Sequence, residues 1–252
     1  MSGWLRRWWP AVVAHVAVVA LWQVAVIWGD VPAFVMPTPL ATLQALFQPH
    51  YNWLQHTLVT AAEVFGGYAL AVVIGVGMAI LFSWFSVLDR FLMPLIVTLN
   101  MIPKIAMAPL FIVWLSFGVV PNMVIAFTIC FFPILLTTAR GLAEVEPELL
   151  DLVRALRATR WQIFTKIQLP NALPYVFSGM KIAVVLAVAG AIVGEFIGSA
   201  QGLGYLMLSV QGVLDTAGMF MAVILVSLIG VALYGLVILL ERLVVVTDAR
   251  IE

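Results

Sequence analysis

The chain has 252 residues, a formal net charge of zero, 64% hydrophobic residues and only 10% charged ones. A soluble domain carries roughly a quarter charged residues, so this composition excludes an ordinary water-facing surface and, with a mean hydropathy of +1.15, points to a polytopic membrane protein. The one cysteine, Cys130, excludes an intramolecular disulfide and a cysteine-based metal cluster, and its apolar surroundings read as those of a small core residue.

In chain order, Arg6 and Arg7 precede an apolar run from Trp8 to Trp28. That run is long enough to cross a bilayer and longer than the apolar core of a secretory signal, so it is expected to be a retained first span. Further spans are expected at roughly 58–82, 91–117, 121–139, 175–198 and 217–240. They should be helices, because backbone inside hydrocarbon must satisfy its own hydrogen bonds and the runs are too long for barrel strands. The expected fold class is therefore all-α, a polytopic bundle of about six transmembrane helices. Pro94, Pro103 and Pro109 interrupt the third span, which should kink or break. Trp4, Trp8, Trp9, Trp28 and Trp53 fall where interfacial aromatic belts are expected.

Lys and Arg set the orientation. With the N-terminus in the cytoplasm, segments 29–57, 118–120 and 199–216 lie outside and contain no Lys or Arg. Arg6, Arg7, Arg90, Arg140, Arg154, Arg157, Arg160, Lys166, Arg242 and Arg250 all fall inside, and the C-terminus is cytoplasmic as well. Lys181 is placed near the inner end of the fifth span, able to snorkel. Lys104 alone remains within a span.

The second span carries Gly67, Ala71, Gly75 and Ala79, and the fifth carries Gly190, Gly194 and Gly198 with Gly202 just beyond, each four residues from the last. Such smooth faces let helices approach closely, within the bundle or at a subunit interface.

The one long cytoplasmic loop, 140–174, holds two short amphipathic helices. The first is expected over about Pro147–Arg157, with Pro147 in the first turn, Glu148 and Asp151 toward the positive end, and Arg154 and Arg157 toward the negative one. Leu149, Leu152, Val153 and Leu156 form its apolar stripe. The second is expected over about Arg160–Gln168, capped by Thr159 with Gln162 and stopped by Pro170. The hairpin either tucks under the bundle or docks a partner; Trp161 between Arg157 and Arg160 favours a partner.

This segment resembles the EAA loop of binding-protein-dependent ABC transporter permeases. Ile167-Gln168-Leu169-Pro170 fits the end of that pattern, Asp151 takes the acidic place, Leu152 and Val153 stand for the two alanines, and Arg157 for the glycine. "MIPKIAMAPLFIVWLSFG" (Met101–Gly118), "GEFIGSAQGLGYLM" (Gly194–Met207) and "MPTPL" after the first span are similar to the subfamily of nitrate, sulfonate, taurine and bicarbonate permeases, which also includes importers of vitamin precursors and aromatic acids.

The resemblance implies one transmembrane permease domain of the type I importer kind, with residues 1–57 as first span and external loop and 58–240 as the core bundle. It implies a bacterial inner-membrane location and three partners besides the bilayer: ABC ATPase subunits, a second permease copy expected as a homodimer, and a periplasmic or external solute-binding protein. Nucleic acid is not among them. ATP and Mg would sit in the ATPase and no cofactor in this chain, which has no G-x-x-x-x-G-K-[ST] and is not expected to be an enzyme. Glu148, Asp151, Arg154, Arg157, Arg160 and Trp161 are the expected ATPase contacts, while Leu149, Val153 and Leu156 would hold the helix to its own protein.

For the solute pathway or gate the candidates are Asn100, Lys104 and Glu195, since intramembrane polar groups are costly. Lys104 either attracts an anion or caps carbonyls. Asn100 lines the path or bonds between helices. Glu195 suits a structural hydrogen bond or an outer gate. Glu63 is expected at the interface and His15 packed within its span, while His50 and His56 read as loop residues with no metal site. The solute class implied is a small anion or an organic molecule of the nitrate, sulfonate, vitamin-precursor or aromatic-acid type. The alternative, an ion-coupled secondary transporter or channel, would need a relay of buried acids.

Overall fold

The computed structural model describes the backbone of residues 3–245 and the side chains of residues 9–245 other than Ser86. The side chains of Trp4, Arg6, Arg7 and Trp8, and all of Arg250, lie outside the described residues. The helices are α1 (Gly3–Trp28), α2 (Pro39–Ala45), α3 (Trp53–Trp84), α4 (Ser86–Asn100), α5 (Ala108–Leu115), α6 (Val119–Ala143), α7 (Pro147–Ala155), α8 (Arg160–Ile163), α9 (Leu169–Gly198), α10 (Leu203–Gln211) and α11 (Thr216–Val244), and the described residues contain no strand. Five stretches are long and apolar enough to cross a membrane. The pair α4 and α5 makes a sixth if its 81° bend is taken as a break within one span.

The third span breaks where its prolines direct. α4 keeps Pro94, ends at Asn100, and passes through Met101–Pro103 into a 3₁₀ turn at Lys104–Met107; Pro109 then stands in the first turn of α5. Pro103 removes an N–H and restricts the residue before it, so the helix cannot run through.

α6 lies at the centre, between α3 and α9, and Gly67 and Gly75 of one small-residue stripe and Gly190 and Gly194 of the other face it, while Gly198 faces Ile112 of α5. A side-chain carbon at Gly67 would sit 2.6 Å from the Met123 carbonyl oxygen, and one at Gly190 would sit 2.8 Å from the Ala126 Cα. The stripes thus serve packing within this chain. In lipid no hydrophobic force separates helix from tail, and association rests on van der Waals contact between closely approaching backbones. Val64, Ala71, Ala126, Cys130, Ile134, Ala187 and Ala191 are fully buried along these seams. Two charged side chains tie α9 to α11, Lys181 Nζ lying 2.6 Å from Glu241 Oε2.

α1 stands largely uncovered. Its far end is held by Trp22, which donates Nε1–H to the Pro37 carbonyl at 3.0 Å and packs on Phe220. His15 is not packed, as expected from sequence, but exposed and bonded to its own helix at Ala11.

The hairpin differs from expectation in its second half. Thr159 caps α8 with the reciprocal Gln162 bond, but Pro170 does not stop the helix. Phe164–Gln168 forms a π turn that runs directly into α9. A proline ring clashes with the carbonyl four residues back; the wider π turn moves that carbonyl away, and Leu169 N–H bonds Phe164 instead. The segment from Arg160 is thus the first part of the long fifth membrane helix, and only α7 lies apart from it.

α7 ends two residues short of the expected Arg157. Ala158 N–H bonds the Val153 carbonyl at 3.0 Å and Arg157 N–H bonds Arg154 at 2.9 Å, the paired bonds of a Schellman turn, with Arg157 in its left-handed position at φ 58. This is the place where the resembling family carries glycine. The turn survives the replacement at a strain of roughly 1–2 kcal/mol.

Two outcomes follow for the purified chain. Gly67→Val should lower thermal stability by about 2 kcal/mol or more through overpacking, whereas Gly77→Ala, with open space at its Cβ position, should not; equal effects would contradict the seam. Arg157→Gly should relieve the turn by about 1 kcal/mol and slow chymotryptic cleavage of the hairpin roughly fivefold, and faster cleavage would contradict the strain.

Candidate functional site

At the hairpin end, none of the α7 residues is buried. Of the three residues that sequence assigned to holding the helix down, Leu156 is 74% exposed and Leu149 39%, and Val153 is half-buried. Glu148, Asp151, Arg154, Arg157 and Arg160 are exposed as well. Asp151 and Arg154 pair with each other at 3.2 Å, an exposed contact worth only a few tenths of a kcal/mol. Trp161 stands over Trp84 and Phe164, at 5.9 and 6.1 Å between ring centroids, and remains 63% exposed. Glu148, Asp151 and Arg154 thus stand on the free α7 and Arg157 in the turn after it, while Arg160 and Trp161 begin the helix that continues into α9, and between α7 and the end of α3 lies a hollow of about 430 Å³ lined by Trp84, Leu150, Arg154, Arg160 and Phe164.

The broken span makes a second feature. Lys104 Nζ donates to the Asn100 carbonyl at 2.7 Å and to Asn100 Oδ1 at 2.8 Å, and lies 4.4 Å from the centre of the Phe132 ring. Lys104 thus caps the end of α4, where carbonyls lack partners. The pair borders an open cleft of about 390 Å³ with Met101, Ile129, Pro133 and Leu186. Pro133 has no N–H for the Ile129 carbonyl, so a second helix leaves a backbone acceptor at this cleft.

A buried polar junction lies at the opposite end from the hairpin. Glu195, 1% exposed, accepts the Thr60 hydroxyl at 2.5 Å on Oε1 and the Gly204 N–H on Oε2. Leu203 N–H donates to Thr60 Oγ at 2.8 Å, and Gly202 N–H to His56 Nδ1 at 3.0 Å. Glu63 Oε1 accepts from Asn122 Nδ2 at 2.8 Å. Gly202, at φ 110, lies against the Glu195 carboxyl, and a side-chain carbon at Gly204 would stand 2.9 Å from Glu195 Oε2. These two glycines let the backbone of the turn reach the carboxylate, which caps the first turn of α10.

Three expectations are corrected here. Glu63 is fully buried rather than interfacial. His56 is a residue of α3 and bonds the turn before α10, not a loop residue. Asn100 bonds Lys104 within its own segment rather than a neighbouring helix. Sequence reasoning missed Thr60 and Asn122; the available signal was the run of glycines around Leu203 that leaves amides open for Glu195.

Residues 71–246 match the family described as binding-protein-dependent transport system inner membrane component. The chain is 35% identical to the riboflavin transport system permease protein RibX of Chloroflexus aurantiacus, over 96% of this chain and 92% of that protein. It is 30% identical to the formylaminopyrimidine transport permease protein ThiX of Halalkalibacterium halodurans, over 83% and 84%. It is 28% identical to the putative aliphatic sulfonates transport permease protein SsuC of Bacillus subtilis, over 93% and 86%. Among solved structures, an inward-facing MetNI methionine ABC transporter chain superposes with a TM-score of 0.59 at 25% identity, over 78% of this chain and 100% of that one. With its broken third span, central α6 and free α7, the chain belongs to the binding-protein-dependent inner membrane permeases, the transport subunits of ABC importers whose ATP hydrolysis is done by a partner ATPase.

Proposed function

We propose that this permease forms the solute pathway of an ATP-driven importer and receives mechanical work through α7, with the hairpin in the cytoplasm and the N- and C-termini on the same side. The observation that carries this reading is the exposure of α7: a charged and apolar helix with no residue buried, beside a Trp161 that its own chain leaves largely uncovered. Aromatic and Arg side chains of this kind anchor interfaces. The π turn joins the hairpin to α9 without a loop, so a push on α7 reaches the Arg157 turn and then a helix packed along α6. The partners proposed are two ATPase subunits, a second copy of this permease and an external binding protein.

For the solute, we propose a small organic molecule or anion taken past the cleft at Lys104. The cleft walls are apolar, and Lys104 supplies a positive charge whose Asn100 contacts leave its ammonium a further donor. Relatives named for riboflavin, formylaminopyrimidine and sulfonates are consistent with planar or anionic organic solutes. An ion-coupled carrier finds less support: Glu63 and Glu195 are sealed together, and no chain of acids leads from them across the bundle among the described residues.

The coupling reading is tested by exchanging Asp151→Arg and Arg154→Asp together. The exchange keeps a pair within α7, so the helix loses only tenths of a kcal/mol, while the charges offered to a partner are reversed. Co-purification with the ATPase, and its stimulation by loaded binding protein, should be lost; unchanged stimulation would reject docking through α7. Lys104→Ala should reduce uptake of an anionic solute by about tenfold, the loss of one charge-assisted contact, with ATPase binding unchanged. Undiminished uptake would remove Lys104 from the pathway.

A further inference from the structure

The junction of Thr60, Glu63, Asn122 and Glu195 is fully buried, and it stands whatever the hairpin or the cleft does. It joins three membrane helices. The segments that supply it, 51–84, 119–139 and 182–240, contain no Lys or Arg, so no lysine or arginine of these segments balances two carboxylates. Glu195 takes the Thr60 hydroxyl and the Gly204 amide at the start of α10, where partial positive charge favours an anion. Glu63 takes one donor, Asn122 Nδ2, on Oε1. Its Oε2 has no hydrogen-bond partner, and neither does Asn122 Oδ1. The carboxyl that faces Glu63 is that of Glu195.

Two like charges side by side in a site closed to water repel with little screening, and paired carboxyls in such a site retain a proton. The donors decide which one keeps it: a carboxylate is an acceptor only, while a protonated carboxyl supplies a donor of its own. We propose that the junction is a proton-binding site in which one proton resides on Glu63 Oε2 and is shared with an ionised Glu195, fastening α3 to α9 beside α6.

The titratable groups that face the pair leave this assignment intact. From α3, His56 accepts the Gly202 N–H on Nδ1, so that nitrogen carries no proton. From α10, Tyr205 stacks on His56 at 6.0 Å. From α6, the facing polar group is Asn122, which does not titrate. The proton converts what would be a repulsive pair into a donor and an acceptor at the place where α10 turns back against the bundle.

The test uses the full chain in lipid at neutral pH. Infrared spectra compared in H2O and D2O should contain the carbonyl band of a protonated acid, removed by Glu63→Gln. Absence of the band, or its persistence in Glu63→Gln, overturns the proposal. Thermal unfolding gives a second readout. Glu63→Gln retains a donor where the O–H stood and should shift Tm by less than about 2 °C, while Glu195→Gln turns an amide group toward donors and should lower it by roughly 5 °C. Equal losses, a larger loss in Glu63→Gln, or a sodium-dependent rise in wild-type Tm that Glu63→Gln abolishes would each place a charge or a cation where the proposal places a proton.

Discussion

The close approach of α3 and α9 to α6 is the contact on which the rest of this permease depends. Without water to drive helices together, the bundle needs surfaces smooth enough for backbones to touch, and Gly67, Gly75, Gly190 and Gly194 provide them. Because α6 is covered on both sides, polar groups from three helices meet at its start, and Asn122 stands beside Gly194. The same geometry that packs the core therefore assembles the junction of Glu63 and Glu195.

The two ends of the bundle follow different rules. At the junction Thr60, Glu63, Asn122 and Glu195 are shut away from solvent, where polar groups cannot turn to water for partners. At the hairpin the side chains are open and the internal contacts weak: a pair of exposed charges and a turn held by Arg157 in a left-handed conformation. A rigid end and an accessible one, connected by α9, suit the proposed transmission of a displacement from α7 without loss of the core packing. The cleft beside Lys104 lies where the third span gives up helix, and lone carbonyls there are tolerated because Lys104 caps one end and the cleft opens beside the other.

Much of the fold was legible in the residues. Hydrophobic run length located the spans, and prolines located the break at Pro103, because both act over a few neighbouring residues. The Thr159 cap was readable for the same reason. Pro170 misled: its usual effect is to end a helix, but a π turn accommodates it. Leu149 and Leu156 misled in another way, since an apolar stripe shows that a face needs cover and not whether its own chain supplies it.

The sequence by itself determined that this chain is a helical membrane protein with a broken third span and a charged hairpin, since each of these rests on local chemistry. Its motifs also carried the family. Tertiary structure decided that Glu63 and Glu195 meet, that Thr60 and Asn122 serve them, and that Lys181 pairs with Glu241. Those partners come from helices far apart in the chain, and which polar groups meet depends on how the helices rotate and pack, which no local pattern specifies.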